Sequence, residues 1–155
     1  WYFLGLQELL VHFHPVVAIV VVPLAGLAVL LLLPYLTADA EPAGAWFLSD
    51  RGRRSAGIAA LAALATTPAA VVAHDIALRA WPGATTWLTG GVLPVAVIGG
   101  AAYGFVVLSR ARFGLTRNET VQAAAVLGGV AFAVLTVVGI WFRGPGMSLV
   151  WPWAR

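Results

Sequence analysis

The sequence predicts an all-α integral membrane protein: four transmembrane helices preceded by a short interfacial amphipathic helix. Three observations carry that prediction. Of 155 residues, 61% are hydrophobic and only 10% are charged, whereas a soluble domain gives roughly a quarter of its residues to charge because its surface must meet water. The mean hydropathy is +0.94. Four windows of the length needed to cross hydrocarbon, about 20 apolar residues at 1.5 Å each, run free or nearly free of charge.

The opening stretch, residues 1–14 (WYFLGLQELLVHFH), is too short and too interrupted to span a bilayer. Gln7, Glu8, His12 and His14 fall largely at helical spacing. That pattern fits a helix lying at the interface with its apolar face in lipid or against the bundle, and equally a plain lead into the membrane. The rest, 15–155, reads as a transmembrane domain with spans at about 15–35, 55–79, 88–109 and 120–142. The first carries no charge, and the second is Ala-rich with His74 and Asp75 near its far end. Pro23, Pro68 and Pro94 lie inside the first three spans, where each removes an amide donor and bends its helix. Gly100 with Gly104, Ala59 with Ala63, and Ala125 with Gly129 are small-residue pairs suited to close helix contact.

Arginine counts set the orientation. Arg51, Arg53, Arg54, Arg110, Arg112 and Arg117 fall in the two loops after spans one and three, against Arg79, Arg143 and Arg155 elsewhere. The loops after spans one and three are expected on the cytoplasmic side, with both termini outside. Trp1, Trp81, Trp87, Trp141, Trp151 and Trp153 then gather near the outer interface as an aromatic belt, with Trp46 in a cytoplasmic loop. A net charge of +3, dispersed along the chain, argues against a nucleic-acid partner. With no cysteine there is no disulfide, no thiolate metal site and no c-type haem attachment.

Ionisable groups inside a membrane are functional candidates because burying them is costly. Spans one, three and four contain no histidine, so the chain cannot hold a bis-histidine haem across its bundle by itself. A metal at His12 and His14 would need ligands from another chain. His74 and Asp75 are adjacent, so on a helix they diverge; they read as an interfacial, hydrogen-bonded pair or as a proton or quinone contact. Glu8 is a carboxylate in an apolar run. Desolvation there is expected to raise its pKa toward neutrality, which suits a group that takes a proton from a bound quinol; the plain alternative is that Glu8 faces water.

The opening Trp1-Tyr2-Phe3-Leu4-Gly5-Leu6-Gln7-Glu8-Leu9-Leu10, followed by Phe13 and Pro15, resembles the quinol-oxidising-site segment of the cytochrome b C-terminal domain. That domain is fused in cytochrome bc complexes and separate, as subunit IV, in b6f complexes. The similarity is greatest to the bacterial menaquinol-oxidising branch, in which the last helix also ends as here, in Phe142-Arg143-Gly144-Pro145-Gly146 leading to Trp151-Pro152-Trp153. The resemblance covers about 1–35 and 120–153. Residues 55–109 look like an inserted helical hairpin relative to simpler members. The family's Pro-Glu pair, whose Glu is its proton acceptor, would fall before Trp1.

The resemblance implies a subunit of a menaquinol:cytochrome c reductase-like complex of a respiratory or photosynthetic chain, not catalytic alone, in the bacterial cytoplasmic membrane. Quinol or menaquinol would bind at the subunit interface, with Trp1 and Tyr2 in the wall of the outer quinol site and Phe3, Glu8 and His12 completing the expected set. Glu8 is taken as a substitute proton acceptor. Haem b would be carried by a cytochrome b6-like partner, with iron-sulfur or cytochrome c subunits, or both, outside. The alternatives are a non-catalytic anchor or scaffold subunit of a redox complex and, from the bent spans alone, a small transporter. A lipid-modifying enzyme is disfavoured because no cluster of acids and histidines shares one face.

Overall fold

A computed structural model describes residues 2–36, 46–47, 49–81 and 85–154. Among them the chain is helical with no strand, apart from an isolated bridge between Arg143 and Leu149. Helix α1 is Tyr2–Val11. A π-helical turn, Val17–Val21, runs into α2, Val22–Leu36; α3 is Asp50–Ala80. A second π-helical turn, Leu88–Val92, runs into α4, Leu93–Phe113, and α5 is Arg117–Trp141. Three helices, Asp50–Ala80, Leu88–Phe113 and Arg117–Trp141, are long and apolar enough to cross a membrane, while the apolar stretch Val17–Leu32 is shorter.

The helices overrun the apolar windows at their polar ends, because caps and not hydropathy set where a helix stops. Ser49 accepts from the Gly52 amide at 3.1 Å and starts α3 at Asp50, which carries Arg51, Arg53 and Arg54 into the helix instead of leaving them in a loop. Arg110 and Arg112 likewise lie in the last turn of α4, where cations complement the helix dipole. Thr116 and Glu119 form a capping box that begins α5 at Arg117.

Both π-helical turns stand just upstream of a proline. The amide before Pro23, that of Val22, reaches back to Val17, and the amide before Pro94, that of Leu93, reaches back to Leu88. Proline cannot donate, so the widened turn leaves carbonyls near each proline without an intrahelical partner. At Pro94 one of them is used: Gly90 accepts the His14 amide at 2.5 Å. The approach is close enough that a Cβ on Gly90 would sit 2.7 Å from the His14 nitrogen, so this position needs glycine.

The central pair is α3 with α5. Ala59 and Ala63 of α3 and Ala123 of α5 are completely or almost completely buried, and Val71, Leu135 and Val138 form the core cluster, joined by Leu9, Phe142 and Leu149. Of the small-residue pairs expected to mediate packing, only Ala59 with Ala63 does so here. Ala125 and Gly129 are exposed, and a Cβ on Gly100 or Gly104 would meet nothing within 4 Å. Helix α1 lies along α5, with Gly5 against Phe132 and Thr136 and Gly139 against the Leu4 backbone. The accessible surface is 10115 Å², against about 7,500 Å² for a compact soluble monomer of this mass. Leu30, Leu31, Leu61, Tyr103 and Leu108 are all more than 60% exposed, a surface that lipid or protein must cover.

These contacts predict an asymmetry between helices. Ala63→Leu should destabilise the purified chain by about 1–3 kcal/mol through overpacking, whereas Gly100→Leu should change stability by less than about 0.5 kcal/mol. Unfolding in detergent micelles reads both, and equal losses would contradict the α3–α5 packing.

Candidate functional site

Helical spacing alone places Glu8 and His12 on one face of the opening segment, and that face proves to be the buried one. Glu8 is completely inaccessible, while Phe3, Leu6 and Val11 are exposed. Of the two placements expected for the apolar face, in lipid or against the bundle, the structure takes the first, and the Glu8–His12 face turns inward instead of to water. The reason is Arg143, which follows α5 and is itself 7% exposed at the side chain. Its Nε donates to Glu8 Oε2 at 2.8 Å and its Nη2 to Glu8 Oε1 at 2.5 Å, a bidentate pair.

The turn after α5 completes the guanidinium's shell. Gly144 donates to Ser148 at 2.9 Å and Val150 to Phe142 at 3.0 Å, folding 143–149 into a tight loop. Gly146 takes φ +68°, and Met147 follows at φ +62°, a left-handed conformation uncommon outside glycine. The loop directs the Met147 carbonyl at Arg143, which donates to it from Nη1 at 2.6 Å. The Arg-Gly-Pro-Gly segment is thus the backbone device that holds a cation against Glu8.

On the other side of Glu8 stand two histidines. His12 Nε2 lies 3.3 Å from Glu8 Oε1, and His12 Nδ1 lies 2.9 Å from His74 Nδ1 on α3. The imidazole planes are nearly perpendicular, at 89°, which lets the two in-plane nitrogens point at each other. The Thr89 backbone carbonyl, in the π-helical turn before Pro94, lies against the His74 ring. A series of polar groups therefore runs Met147, Arg143, Glu8, His12, His74 through one end of the bundle, with the Thr89 backbone beside its last member. Asp75, adjacent to His74, turns away and pairs with Arg79 at 2.9 Å, so the two do not bond to each other. His14 stacks on Trp87, with ring centroids 4.2 Å apart.

Burial pushes the Glu8 carboxyl up, but the close contacts with His12 and Arg143 and the Arg143 charge outweigh it and hold the pKa at about 2, below its ordinary 4.5. The expectation of a raised pKa is corrected: Glu8 is a fixed anion, because the burial that disfavours its charge also delivers a guanidinium to it.

The expected site residues separate. Glu8 and His12 face inward, and Phe3 lies on the opposite side of α1, in an open groove of about 420 Å³ with Leu6, Gln7, Leu10 and Val11. Trp1 is outside the described residues, and only the backbone of Tyr2 is described. Sequence reasoning missed Arg143 as the partner of Glu8 and His74 as the partner of His12. The available signal was that Glu8 and Arg143 each bordered an apolar run at ends expected on the same side.

No group of three metal-ligating side chains occurs among the described residues. Nitrogens 2.9 Å apart leave no room for an iron between two axial ligands at about 2 Å each. The structure brings the histidines together as hydrogen-bond partners. No protein-family model, no curated protein and no solved structure matches the chain.

Two predictions follow from the ion pair. Glu8→Ala or Arg143→Met alone should cost about 3–5 kcal/mol of stability by stranding a buried charge, and the double variant should cost clearly less than the sum; a double-mutant cycle by unfolding in micelles measures the coupling. Because the folded-state pKa of Glu8 lies below the ordinary value, its stabilisation is whole above about pH 4.5 and is lost as pH falls toward 2. The unfolding temperature should drop across that window in the wild type and much less in the double variant.

Proposed function

We propose that the chain is a subunit of a quinol-oxidising, menaquinol:cytochrome c reductase-like cytochrome b-type complex and forms part of its outer quinol site. One observation carries the reading. The two end segments that resemble the cytochrome b C-terminal domain, far apart in sequence, meet through the Glu8–Arg143 pair, so the residues that bear the resemblance form one structural unit.

In this reading the 15–35 segment is a fourth span, both termini face outside the bacterial cytoplasmic membrane, and the polar series lies at the outer end. Quinol meets α1 at the end of the bundle where Glu8 and His12 lie, and Trp1 and Tyr2 are assigned to its site by the resemblance. Haem b, carried by a cytochrome b6-like partner, and an iron-sulfur or c-type haem protein outside accept the electrons, since the chain has no histidine pair placed to hold a haem. The chain supplies shape and charge. The Glu8 carboxylate serves through its negative charge and not its basicity, stabilising positive charge at His12 as a proton leaves the quinol.

The test is isolation of the tagged chain from its native membrane in mild detergent. A reduced-minus-oxidised spectrum with stoichiometric b-type haem is expected; a free homo-oligomer without haem would point to a transporter and end this reading. In the assembled complex, Glu8→Gln should lower menaquinol oxidation at least tenfold when the rate is normalised to b-type haem. An unaltered rate would assign the chain to the scaffold role.

A further inference from the structure

The His12–His74 contact fixes how many protons the two rings can carry. With Nδ1 facing Nδ1 at 2.9 Å, one nitrogen must bear hydrogen and the other a lone pair. Two N–H groups at that distance would repel, so the pair holds two protons when neutral and three at most when charged. Glu8 selects between the two neutral arrangements. His12 Nε2 lies 3.3 Å from a Glu8 oxygen that is fixed as an anion by Arg143; the contact is an ion-pair distance without the alignment of a hydrogen bond, and the nearby negative charge favours a hydrogen over a lone pair on His12 Nε2. His12 Nδ1 is then bare and accepts from His74 Nδ1–H. That leaves His74 Nε2 as a lone pair, and this nitrogen is buried with no hydrogen-bond partner.

We propose that His12 and His74 act together as a one-proton acceptor, with His74 Nε2 taking the proton and His12 carrying the resulting charge beside Glu8. One proton arrives at His74 Nε2 while another passes from His74 Nδ1 to His12 Nδ1. No electrons move, and the pair changes from neutral to a single positive charge. The charge comes to rest 3.3 Å from the Glu8 carboxylate, while the Thr89 carbonyl against the His74 ring provides an acceptor there. The charged groups around the pair are Glu8 from α1, Arg143 from the turn after α5, and, turned away toward Arg79 but near enough to act through its charge, Asp75 from α3 itself. Arg143 opposes the added charge and the two carboxylates favour it. The inference rests on the proposed function only for the source of the proton, a quinol hydroxyl. It gives the 55–109 hairpin a task, since His74 and Thr89 both lie in it.

The first experiment needs no quinol. In the full chain, labelled with ¹⁵N-histidine and held in lipid nanodiscs, a coupling between the two Nδ1 nuclei is expected. His12 and His74 should then move together with pH, taking up one proton between them, with His74 Nε2 changing from bare to protonated. Independent titration of the rings, no coupling, or a His74 Nε2 that stays protonated throughout would overturn the proposal.

The second uses the assembled complex. His74→Gln keeps a side chain able to donate to His12 but unable to pass a proton. It should lower kcat for quinol oxidation at least tenfold with little change in KM, and added imidazole should restore part of the rate. A wild-type rate, or a loss that imidazole leaves untouched in a complex with its haem intact, would overturn the proposal. A chain isolated without b haem would instead sink the quinol reading, and the nuclear magnetic resonance result would then decide on the proton acceptor alone.

Discussion

A carboxylate and a guanidinium that are both withdrawn from solvent set the terms for the rest of this structure. Desolvating each ion costs several kcal/mol, and the charge attraction offsets this only if the remaining donors and acceptors are also satisfied. Glu8 and Arg143 meet that condition by recruiting three further elements: the loop 143–149 for its Met147 carbonyl, His12 at the end of α1, and through His12 the far end of α3. Helix α1 is only ten residues long, too short to be stable alone in water. Its place against α5 depends on the buried pair together with the close approaches at Gly5 and Gly139.

Prolines contribute by what they leave unbonded. In a soluble protein a carbonyl orphaned by Pro94 would meet water; inside an apolar bundle it must find a donor in the protein. The Gly90 carbonyl finds the His14 amide, which fixes the junction between α1 and the next helix against the start of α4. The Thr89 carbonyl comes to lie beside His74. The widened turn before Pro94 thus serves as a fixed joint, and it sits at the same end as the buried charges.

The apolar windows were legible because a continuous hydrophobic run has few other structures open to it, and α3, α4 and α5 follow those windows closely. Their polar ends were less so, since Ser49 and Thr116 act as caps only in combination with Gly52 and Glu119. Which face of α1 is buried was not legible. Periodicity assigns Glu8 and His12 to a common face, but whether that face meets water or a cation depends on what α5 and α3 present at the same depth. Arg143 is 135 positions from Glu8 and is one of nine arginines. Treating Glu8 as an isolated buried acid gave the wrong sign for its pKa, because desolvation was counted without the charge that makes the burial possible. His74 was recognised as an unusual residue for a span, but its partner lies on a different element and its neighbour Asp75 is occupied elsewhere.

The opposite end of the α3–α5 pair offers an informative contrast. There too a buried carboxylate joins two helices. Glu119 accepts from the Ser49 amide at 3.1 Å, from the Ser49 hydroxyl at 2.5 Å and from the Thr116 amide at 3.3 Å, and Phe47 donates to Gln122 at 2.8 Å. Every donor to Glu119 is an amide or hydroxyl, which holds a negative charge in place but does not exchange protons near neutral pH. At the Glu8 end the carboxylate contacts an arginine and an imidazole, and that imidazole contacts a second one. The first arrangement closes a pair of helix N-termini. The second holds the same helix pair together and also brings two imidazole rings into contact. Both ends solve the problem of a buried acid, but only one does so with groups that can take part in proton chemistry.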